Sequence, residues 1–402
     1  MKKFVVLFLA ALLPLALSAC NRQDKVLYLL NWGEYINEDL FPVFEAETGI
    51  TINLTTVDSN ENMETELRTS SHPFDIMIPS DYMIEKLYDE GKLQKIDLTK
   101  LPHYAETNFM SGVRDIMADL FLDNADVTSA FEVCTPYFWG LFGLMYNTTL
   151  PGIAEYIETN GWGAAFGPLP AKPAGWANNP RVGIYSVPRF AYSAALIYAT
   201  ENDVAYPTIP DNAFNIYSVD NLQTARQILS ARNYSSWATD QMKKDLDAGD
   251  LDIAFTYVGD YFDTYLLNAQ AAEAVTGAQA EAANTHLGIY IPDKTIAFVD
   301  AMCIPADAKN VENAHLFIDF FLRPENAYAN SDIVGYTTTL ISVYNMIRGA
   351  EGGDVVRQTM VVNHPYNPME ITDRTIVGTP LIAFNSNQTS SIVQMIFDVK
   401  ND

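Results

Sequence analysis

Residues 26 to 90 alternate between two hydrophobic periods, and this alternation constrains the fold more than any other feature of the chain. The runs KVLYLL, ITINLTTV and FDIMIPS have the apolar or alternating character of strands. EDLFPVFEAETG, DSNENMETELRTS and DYMIEKLYDEGK have helical spacing; the first ends at Gly49, and the second opens on a capping box from Asp58 to Glu61. A strand followed by a helix, repeated three times, predicts an α/β fold with a parallel sheet and right-handed crossovers.

Two short loops follow strands of this predicted sheet. NWGEY follows the first strand and PSDY follows the third. Open parallel sheets bind ligands outside the carboxyl ends of their strands, so both loops are expected to face one cleft. The alternative for Asp81 is that it does not bind ligand and instead lies in the first turn of a helix, where its negative charge interacts favourably with the helix dipole. The candidate binding residues from these loops are Trp32, Glu34, Tyr35, Ser80, Asp81 and Tyr82.

Aromatic residues recur beside carboxylates farther along the chain. Trp237 and Asp240 are spaced one helical turn apart, which predicts that a ring and a carboxylate share one helix face. The strand LDIAFTY leads into VGDYF, where Gly259 is expected to let the backbone turn and project the Asp260 carboxylate into the cleft.

Ring faces attract positive charge and a carboxylate neutralises it, so this pairing indicates a site for an organic cation. The alternative is ordinary core aromatics with solvated carboxylates. The later candidates are Trp237, Asp240, Tyr257, Asp260, Phe298 and Asp300.

The N-terminus has the pattern of an export signal. Lys2 and Lys3 precede an apolar run from Phe4 to Leu17, which is shorter than the ~20 residues that a membrane span needs. LSAC resembles a bacterial lipobox, which predicts that residues 1–19 are a lipoprotein signal peptide and that Cys20 carries the lipid. The remaining chain is expected to lie outside the cytoplasmic membrane, in the periplasm or at the cell surface, anchored through that lipid.

Charge and length limit the classes of partner and fold. The chain carries 24 Lys and Arg against 50 Asp and Glu, a net charge of −26, which argues against nucleic acid and favours cations, although solubility alone also selects acidic surfaces. A chain of 402 residues can form two domains. The apolar segment CTPYFWGLFGLMYN, residues 134–147, suits a strand that passes from one domain to the other.

Signals for metal, cofactor and catalysis are absent from the sequence. Cys134 and Cys303 each lie in an apolar run and are expected to be buried free thiols. The five histidines are scattered singly, with no HExxH pattern and no Cys/His cluster. GWGAAFG lacks the third glycine of a dinucleotide-binding fingerprint, and neither GxSxG nor a Walker loop occurs. We therefore expect neither a metal nor a cofactor, and no enzymatic activity.

Several segments together resemble a known family. LYLLNWGEYI, FPVFEAETGI, SNENMETEL, FDIMIPSDYMIEKL, TPYFWGLFGLMYN, GDLDIAFTYVGD and IAFVDAMCIPADAKN are similar, in this order, to the extracytoplasmic polyamine-binding proteins, the spermidine/putrescine receptors of ABC importers. The resemblance implies a two-lobed periplasmic-binding-protein fold. Each lobe is then a mainly parallel sheet flanked by helices, and the ligand cleft lies between the lobes.

The resemblance also implies boundaries, partners and roles. Lobe 1 would comprise residues 26–136 with about 302–334, and lobe 2 about 138–298 with about 336–402. The partners would be a polyamine or related small cation and the membrane subunits of an ABC permease, and a monomer is expected. Binding roles would fall on Trp32, Tyr35, Ser80, Tyr82, Trp237, Asp240, Tyr257 and Asp260.

Two departures from the family leave the ligand open. Where family members carry an acidic stretch, this chain reads VGIYSVPRFAYSAALI, with Arg189 and no Asp or Glu, and the last 50 or so residues match poorly. One alternative is a receptor for another solute, such as an amino acid, another amine or an iron chelate, with Arg189 pairing a ligand carboxylate. The others are a secreted hydrolase, for which no nucleophile with an adjacent base is present, and a lipoprotein adhesin.

Overall fold

The first helices and strands follow the predicted order. A computed structural model describes residues 25–122, 124–201, 212–264, 286–349 and 377–401, so the signal peptide and Cys20 lie outside the described residues. The elements are β1 (Val26–Trp32), α1 (Leu40–Thr48), β2 (Thr51–Val57), α2 (Asn60–Thr69), β3 (Ile76–Met77) and α3 (Asp81–Asp89). Strand β1 pairs in parallel with both β2 and β3, which confirms the predicted parallel sheet.

The helix ends show one confirmed and one wrong prediction. Gly49 ends α1 with a φ of 73°, the left-handed conformation that favours glycine. Helix α2 is capped by Ser59, whose hydroxyl accepts the backbone N–H of Asn62 at 3.1 Å, so the predicted cap at Asp58 is one residue too early. Asp58 remains exposed at the end of β2.

The remaining elements complete two halves of the sheet. Before β5 lie β4 (Leu93–Gln94) and α4 (Ser111–Ala118), and β5 covers Cys134–Asn147. The next elements are α5 (Ile153–Asn160), β6 (Val182–Tyr185), α6 (Pro188–Glu201), α7 (Val219–Leu229), β7 (Ser236–Ala238), α8 (Gln241–Asp247), β8 (Ile253–Tyr257) and α9, described over residues 258–264. The last are β9 (Leu287–Tyr290), β10 (Lys294–Pro305), α10 (Val311–Leu322), α11 (Pro324–Val334), β11 (Thr337–Thr338), α12 (Ile341–Gly349), β12 (Val377–Pro380) and α13 (Ser386–Asn401).

The strand order is β2-β1-β3-β10-β5-β8-β6-β7. We call β2, β1 and β3 the first half of the sheet and β8, β6 and β7 the second half. Strands β6 and β8 are parallel, as are β6 and β7, whereas β10 and β8 both pair with β5 in antiparallel fashion. The α/β fold agrees with the prediction. The sheet is mixed because the long strands β5 and β10 run oppositely along its centre.

Strands β5 and β10 join the two halves of the sheet through a buried, mainly apolar ladder. Their register runs from Ala297 opposite Leu141 to Cys303 opposite Cys134 and shifts after Asp300. The two cysteines are buried free thiols, as expected. None of the described helices is long and apolar enough to cross a membrane.

Candidate functional site

A cleft opens where strands from both halves of the sheet end. Trp32, Val57, Tyr185 and Tyr257 are the last residues of β1, β2, β6 and β8, and all four line it. This is the edge that the sequence predicted for a ligand. The cleft encloses about 590 Å³, including the open space at its mouth. Its lining residues are Trp32, Gly33, Glu34, Tyr35, Val57, Asp58, Tyr185, Asp240, Lys243, Tyr257, Asp260, Asp263, Phe298, Asp300, Val334 and Tyr336.

The structure brings most of the candidate residues together. Those that line the cleft are Trp32, Glu34, Tyr35, Asp240, Tyr257, Asp260, Phe298 and Asp300. Ser80, Asp81, Tyr82 and Trp237 are not among its lining residues.

Asp300 is a buried carboxylate on the central strand β10. Its Oδ1 accepts the hydroxyl of Ser80 at 2.6 Å, and its Oδ2 accepts the hydroxyl of Tyr35 at 2.7 Å. Burial raises the pKa of Asp300, and the hydrogen bonds from the two hydroxyls lower it; the net result is a pKa of about 7. Ser80 therefore contributes to the cleft by orienting Asp300.

Asp260 is the second buried carboxylate, and it lies in the first turn of α9. It accepts the hydroxyl of Thr256, and its Oδ1 accepts the hydroxyl of Tyr336 at 3.0 Å. Burial raises the pKa of Asp260 to about 6, and the nearby Lys243 ammonium lowers it. Because α9 begins directly after β8, the backbone at Gly259 is helical and the expected sharp turn is absent. Glycine is needed there because a Cβ would lie 2.4 Å from the Tyr336 ring.

Four charged side chains meet at one end of the cleft. The Nζ of Lys243 lies 2.6 Å from Asp263 and 2.9 Å from Glu34. The pKa of Glu34 is lowered, first by the hydrogen bond from Lys243. Asp240 lies at the N-cap of α8, where burial raises the pKa of its carboxyl and Lys243 lowers it.

The expected helical pairing of Trp237 with Asp240 is wrong. Trp237 lies in β7, which pairs with β6, and the helix begins only after Asp240. A residue in a strand does not share a face with one three positions later at a helix cap. The Trp237 ring packs against Tyr234 at 5.2 Å between ring centroids, and the Nζ of Lys400 lies 4.9 Å from its centroid.

Asp81 and Tyr82 lie behind the cleft. The Asp81 carboxylate accepts the backbone N–H groups of Tyr82 at 2.7 Å and Val299 at 3.1 Å, and thereby ties α3 to β10. Burial raises the pKa of Asp81 to about 8. This geometry fits the interpretation of Asp81 as a first-turn residue. Tyr82 lines a neighbouring hollow together with Glu61 and Arg189.

Aromatic rings form the walls between the carboxylates. Tyr257 packs edge-on against Tyr185 and Phe298, with centroid distances of 5.0 and 5.1 Å. Tyr35 packs edge-on against Tyr336 at 4.8 Å. Such contacts fix the rings in place before any ligand arrives.

Arg189 does not line the cleft. Its guanidinium donates to the carbonyl of Phe214 at 2.8 Å and to the side-chain oxygen of Asn215 at 2.9 Å. It also stacks over Phe384 of the segment before α13, 4.0 Å from the ring centroid. Burial lowers the pKa of Arg189 to about 10, so it is still charged at neutral pH. Its described contacts therefore join α6 to the C-terminal segment.

Sequence reasoning missed five polar or aromatic lining residues. Tyr185 is an aromatic at a strand end, which is the same signal that marks Tyr257, and Asp58 also directly follows a strand. Asp263 is one helical turn after Asp260. The other two, Lys243 and Tyr336, have no sequence pattern that indicates a binding site. A lysine in DQMKKDL resembles a solvent-exposed helix residue, and GYTTT has no carboxylate beside its aromatic residue.

The lining has a strongly negative balance. Glu34, Asp58, Asp240, Asp260, Asp263 and Asp300 supply six carboxylates, and Lys243 supplies one cation among the described lining residues. The described residues contain no group of three or more His, Cys, Asp or Glu side chains arranged to hold a metal ion. The chemistry of this cleft therefore suits binding of a small molecule through charge and ring contacts.

The mixed α/β sheet has an acidic, aromatic-walled cleft at its strand ends, and this geometry fits a protein that binds a small solute. The chain belongs to the family of bacterial extracellular solute-binding proteins, whose sequence pattern matches residues 40–352.

Known proteins resemble the chain over most of its length. It is 27% identical to a putrescine-binding periplasmic protein of Pseudomonas aeruginosa over 344 residues, and this aligned region covers 84% of each chain. It is also 27% identical over 352 residues to a spermidine/putrescine-binding periplasmic protein of Escherichia coli, covering 86% of this chain and 87% of that protein.

Solved structures share the fold. A lipoprotein of Treponema pallidum matches with a TM-score of 0.63 and 20% identity, covering 94% of this chain and 100% of that one. A spermidine/putrescine ABC transporter substrate-binding protein of Streptococcus pneumoniae matches with a TM-score of 0.61 and 23% identity, covering 94% and 98%. The likeness establishes that the chain shares the fold of these binding proteins.

Proposed function

We propose that this protein captures a polyamine of the spermidine/putrescine class outside the cytoplasmic membrane and delivers it to an ABC-type permease, without catalysis. The observation that carries the proposal is the excess of carboxylates in one aromatic-walled cleft. The relatives from Pseudomonas aeruginosa and Escherichia coli, which bind putrescine or spermidine, support the same ligand class.

The ligand is held by charge pairing and ring contact. Asp260 and Asp300 are the buried carboxylates, and Asp240 is a partly buried third. The rings of Trp32, Tyr257 and Phe298 face the methylenes and ammonium groups. A desolvated contact between a cation and a ring contributes about 2 kcal/mol. A buried ammonium without a partner loses several kcal/mol, so carboxylate positions decide which amine fits.

Two lobes close on the ligand in this proposal. Lobe 1 comprises residues 26–136 with about 302–334, and lobe 2 comprises about 138–298 with about 336–402. Trp32 and Tyr35 come from the first, and Tyr185 and Asp260 come from the second. Closure would bury the amine and form the surface that the permease recognises.

Export and anchoring complete the proposal. Residues 1–19 would direct the chain across the cytoplasmic membrane, and a lipid on Cys20 would hold the mature monomer at that membrane or at the cell surface. Mass spectrometry of the protein from membranes would show a diacylglyceryl mass on Cys20. An unmodified N-terminal Cys20 peptide would remove the anchor from the proposal.

A thermal-shift screen followed by calorimetry tests the ligand class. The purified protein is heated with putrescine, spermidine, glutamate or a neutral sugar. A ligand that binds only the folded state stabilises it by about 2.7 kcal/mol at 100 times its Kd. We expect the melting temperature to rise with an amine and to stay constant with glutamate and sugar. A rise with glutamate alone would overturn the polyamine proposal.

A further inference from the structure

The cleft contains an ammonium group that belongs to the protein itself. Lys243 lies in α8 with only 9% of its side chain exposed. Its Nζ is 2.6 Å from Asp263 and 2.9 Å from Glu34, so two of the six lining carboxylates are already paired. An ammonium between two carboxylates at these distances is the arrangement that an amine ligand would otherwise form.

The two partners of Lys243 come from opposite halves of the sheet. Glu34 follows β1 in the first half, and Asp263 lies in α9, which follows β8 in the second half. Glu34 has a φ of 51°, in the left-handed region that non-glycine residues rarely adopt. The ion pair joins Glu34, which lines the cleft, to Lys243 of α8.

The neighbouring lysine offers a direct comparison. Lys244 has 58% of its side chain exposed, and its Nζ lies 3.9 Å from Glu34. It is not among the residues that line the cleft. Solvent screens a pair in which both side chains are exposed, whereas Lys243 is buried and its pair with Asp263 is largely shielded from solvent.

The pairing leaves a defined set of carboxylates for a ligand. Tyr257, Asp260 and Asp300 line the same cleft, and burial first, then the charges of neighbours including Asp300 and Asp260, raises the pKa of Tyr257. These two buried groups have hydroxyl donors, from Tyr35 and Ser80 on one and Thr256 and Tyr336 on the other, but no lysine or arginine within salt-bridge distance in the described residues. Four lining carboxylates remain, and only Asp260 and Asp300 among them are buried, which matches the two ammonium groups of a diamine. Asp58 is exposed, and Asp240 is partly buried and lies near the Lys243 charge, which lowers the pKa that burial raises.

We infer that Lys243 is a specificity-determining residue: it takes the place of one ligand ammonium between Glu34 and Asp263, so that the cleft accepts a diamine and disfavours a triamine. This inference rests on the proposed function. A third ammonium would have to enter beside the Lys243 charge, and like charges repel at such a distance. Without the Lys243 charge, this end of the cleft would be negative and would instead attract that group.

Titration calorimetry with putrescine and spermidine tests the inference on four forms of the protein: the parent, Lys243→Met, Lys244→Met and the double variant Glu34→Gln/Lys243→Met. We expect the parent to bind putrescine more tightly than spermidine. Lys243→Met should shift the ratio of the two Kd values toward spermidine by at least tenfold, about 1.4 kcal/mol. Lys244→Met should leave the ratio unchanged. The double variant should lose most of the gain, because one carboxylate for the third ammonium is gone.

The outcomes separate this inference from the proposed function. If the parent binds neither amine, the proposed function fails and the inference falls with it. If the parent binds amines and Lys243→Met leaves the ratio of Kd values unchanged, only the role of Lys243 is overturned. Should Lys243→Met fail to fold, Lys243→Gln keeps a donor for Glu34 and Asp263 without the charge, and the same shift toward spermidine is expected. An unchanged ratio in that variant would overturn the inference equally.

Discussion

The hydroxyl of Tyr336 donates to the buried carboxylate of Asp260 at 3.0 Å, while the ring of the same tyrosine covers Gly259. Position 259 is therefore a glycine because a larger residue would collide with Tyr336, whose hydroxyl orients Asp260. Tyr336 follows Gly335, whose φ of 77° lets α11 end and turn toward β11. One aromatic residue thus couples a helix end in one part of the chain to a carboxylate in another.

Replacing Asp260 with asparagine should weaken amine binding severely. Asp260→Asn keeps the shape and removes a charge that is buried at the cleft. Losing one partner of a desolvated charge pair costs about 3 to 5 kcal/mol, which corresponds to roughly a hundredfold to several thousandfold in affinity. Calorimetry with putrescine measures the loss, and Asp115→Asn, at an exposed position in α4, is the matched control. Parent-like affinity in Asp260→Asn would remove Asp260 from the ligand contacts.

Adding a methyl group at Gly259 should disturb the same site through Tyr336. The Cβ of Gly259→Ala would lie 2.4 Å from the Tyr336 ring, so the ring must move. Overpacking of this kind costs about 1 to 3 kcal/mol of unfolding free energy, and the displaced hydroxyl should weaken amine binding as well. Denaturant unfolding and calorimetry measure the two effects.

A second substitution separates the steric cause from others. Combining Gly259→Ala with Tyr336→Ala removes the clash, so the penalty of the alanine at position 259 should largely disappear when it is measured in the Tyr336→Ala background. Equal penalties in both backgrounds would show that the Tyr336 ring is not the reason for glycine at this position.

Amine affinity should fall as the pH is lowered. Burial raises the pKa of Asp300 to about 7 and that of Asp260 to about 6, so both carboxyls ionise in the ligand-free protein only above those values. A cationic ligand needs the charged forms, and its own amines stay protonated throughout. We expect putrescine affinity to be at least tenfold weaker at about pH 5.5 than at about pH 8, with proton release on binding near pH ~6.5.

Raising the pH should strengthen amine binding through Asp260 and Asp300 but should lower the stability of the ligand-free protein through the same two carboxyls. Their folded-state pKa values are raised, so their contribution to stability is fully present below the unfolded-state value of ~4 and is lost as the pH rises through about 6 and 7. Asp300→Asn should remove part of both pH dependences. A pH-independent Kd in the parent protein would contradict the proposed pairing.

Arg189 should matter for stability and not for amine binding. Arg189→Met removes donors to the Phe214 carbonyl and to Asn215, and it leaves these oxygens with fewer partners. Hydrogen bonds to charged groups contribute about 1.5 to 3 kcal/mol each, so we expect a loss of about 3 kcal/mol in unfolding free energy. Putrescine affinity should stay within twofold. A large loss of affinity in a variant that remains folded would instead support the alternative in which Arg189 contacts the ligand.

The predictable part of the site lies at the ends of buried strands. The loop after β1 can be located from its hydrophobic period alone, because a buried strand must lead into residues at the sheet edge, and Trp32, Glu34 and Tyr35 all line the cleft. The loop after β3 can be located equally well, yet Ser80 reaches the cleft only through its hydrogen bond to Asp300. The spacing along the chain predicts which loops lie at this edge of the sheet. It does not predict whether a given side chain lines the cleft or lies behind it.

Other contacts depend on partners that are distant in sequence. Lys243 is buried and pairs with Glu34 and Asp263, which are distant in sequence, and no local pattern in DQMKKDL distinguishes it from the exposed Lys244. The spacing of Trp237 to Asp240 fits one helical turn, but pairing with β6 makes the segment around Trp237 a strand. Tertiary pairing overrides such short local signals.

Two tryptophans that carry the same sequence signal should therefore behave differently. Trp32 lines the cleft at the end of β1, whereas Trp237 packs against Tyr234 and has the Nζ of Lys400 4.9 Å from its ring centroid. Removing a ring that contacts a desolvated ammonium costs about 2 kcal/mol, so Trp32→Ala should weaken putrescine binding about thirtyfold. Trp237→Ala should leave the Kd within twofold and lower the unfolding free energy, because the ring contacts with Tyr234 and Lys400 are lost. Calorimetry and denaturant unfolding on both variants decide the matter: equal losses of affinity would place Trp237 in the ligand site after all, and no loss for Trp32→Ala would remove the first loop from it.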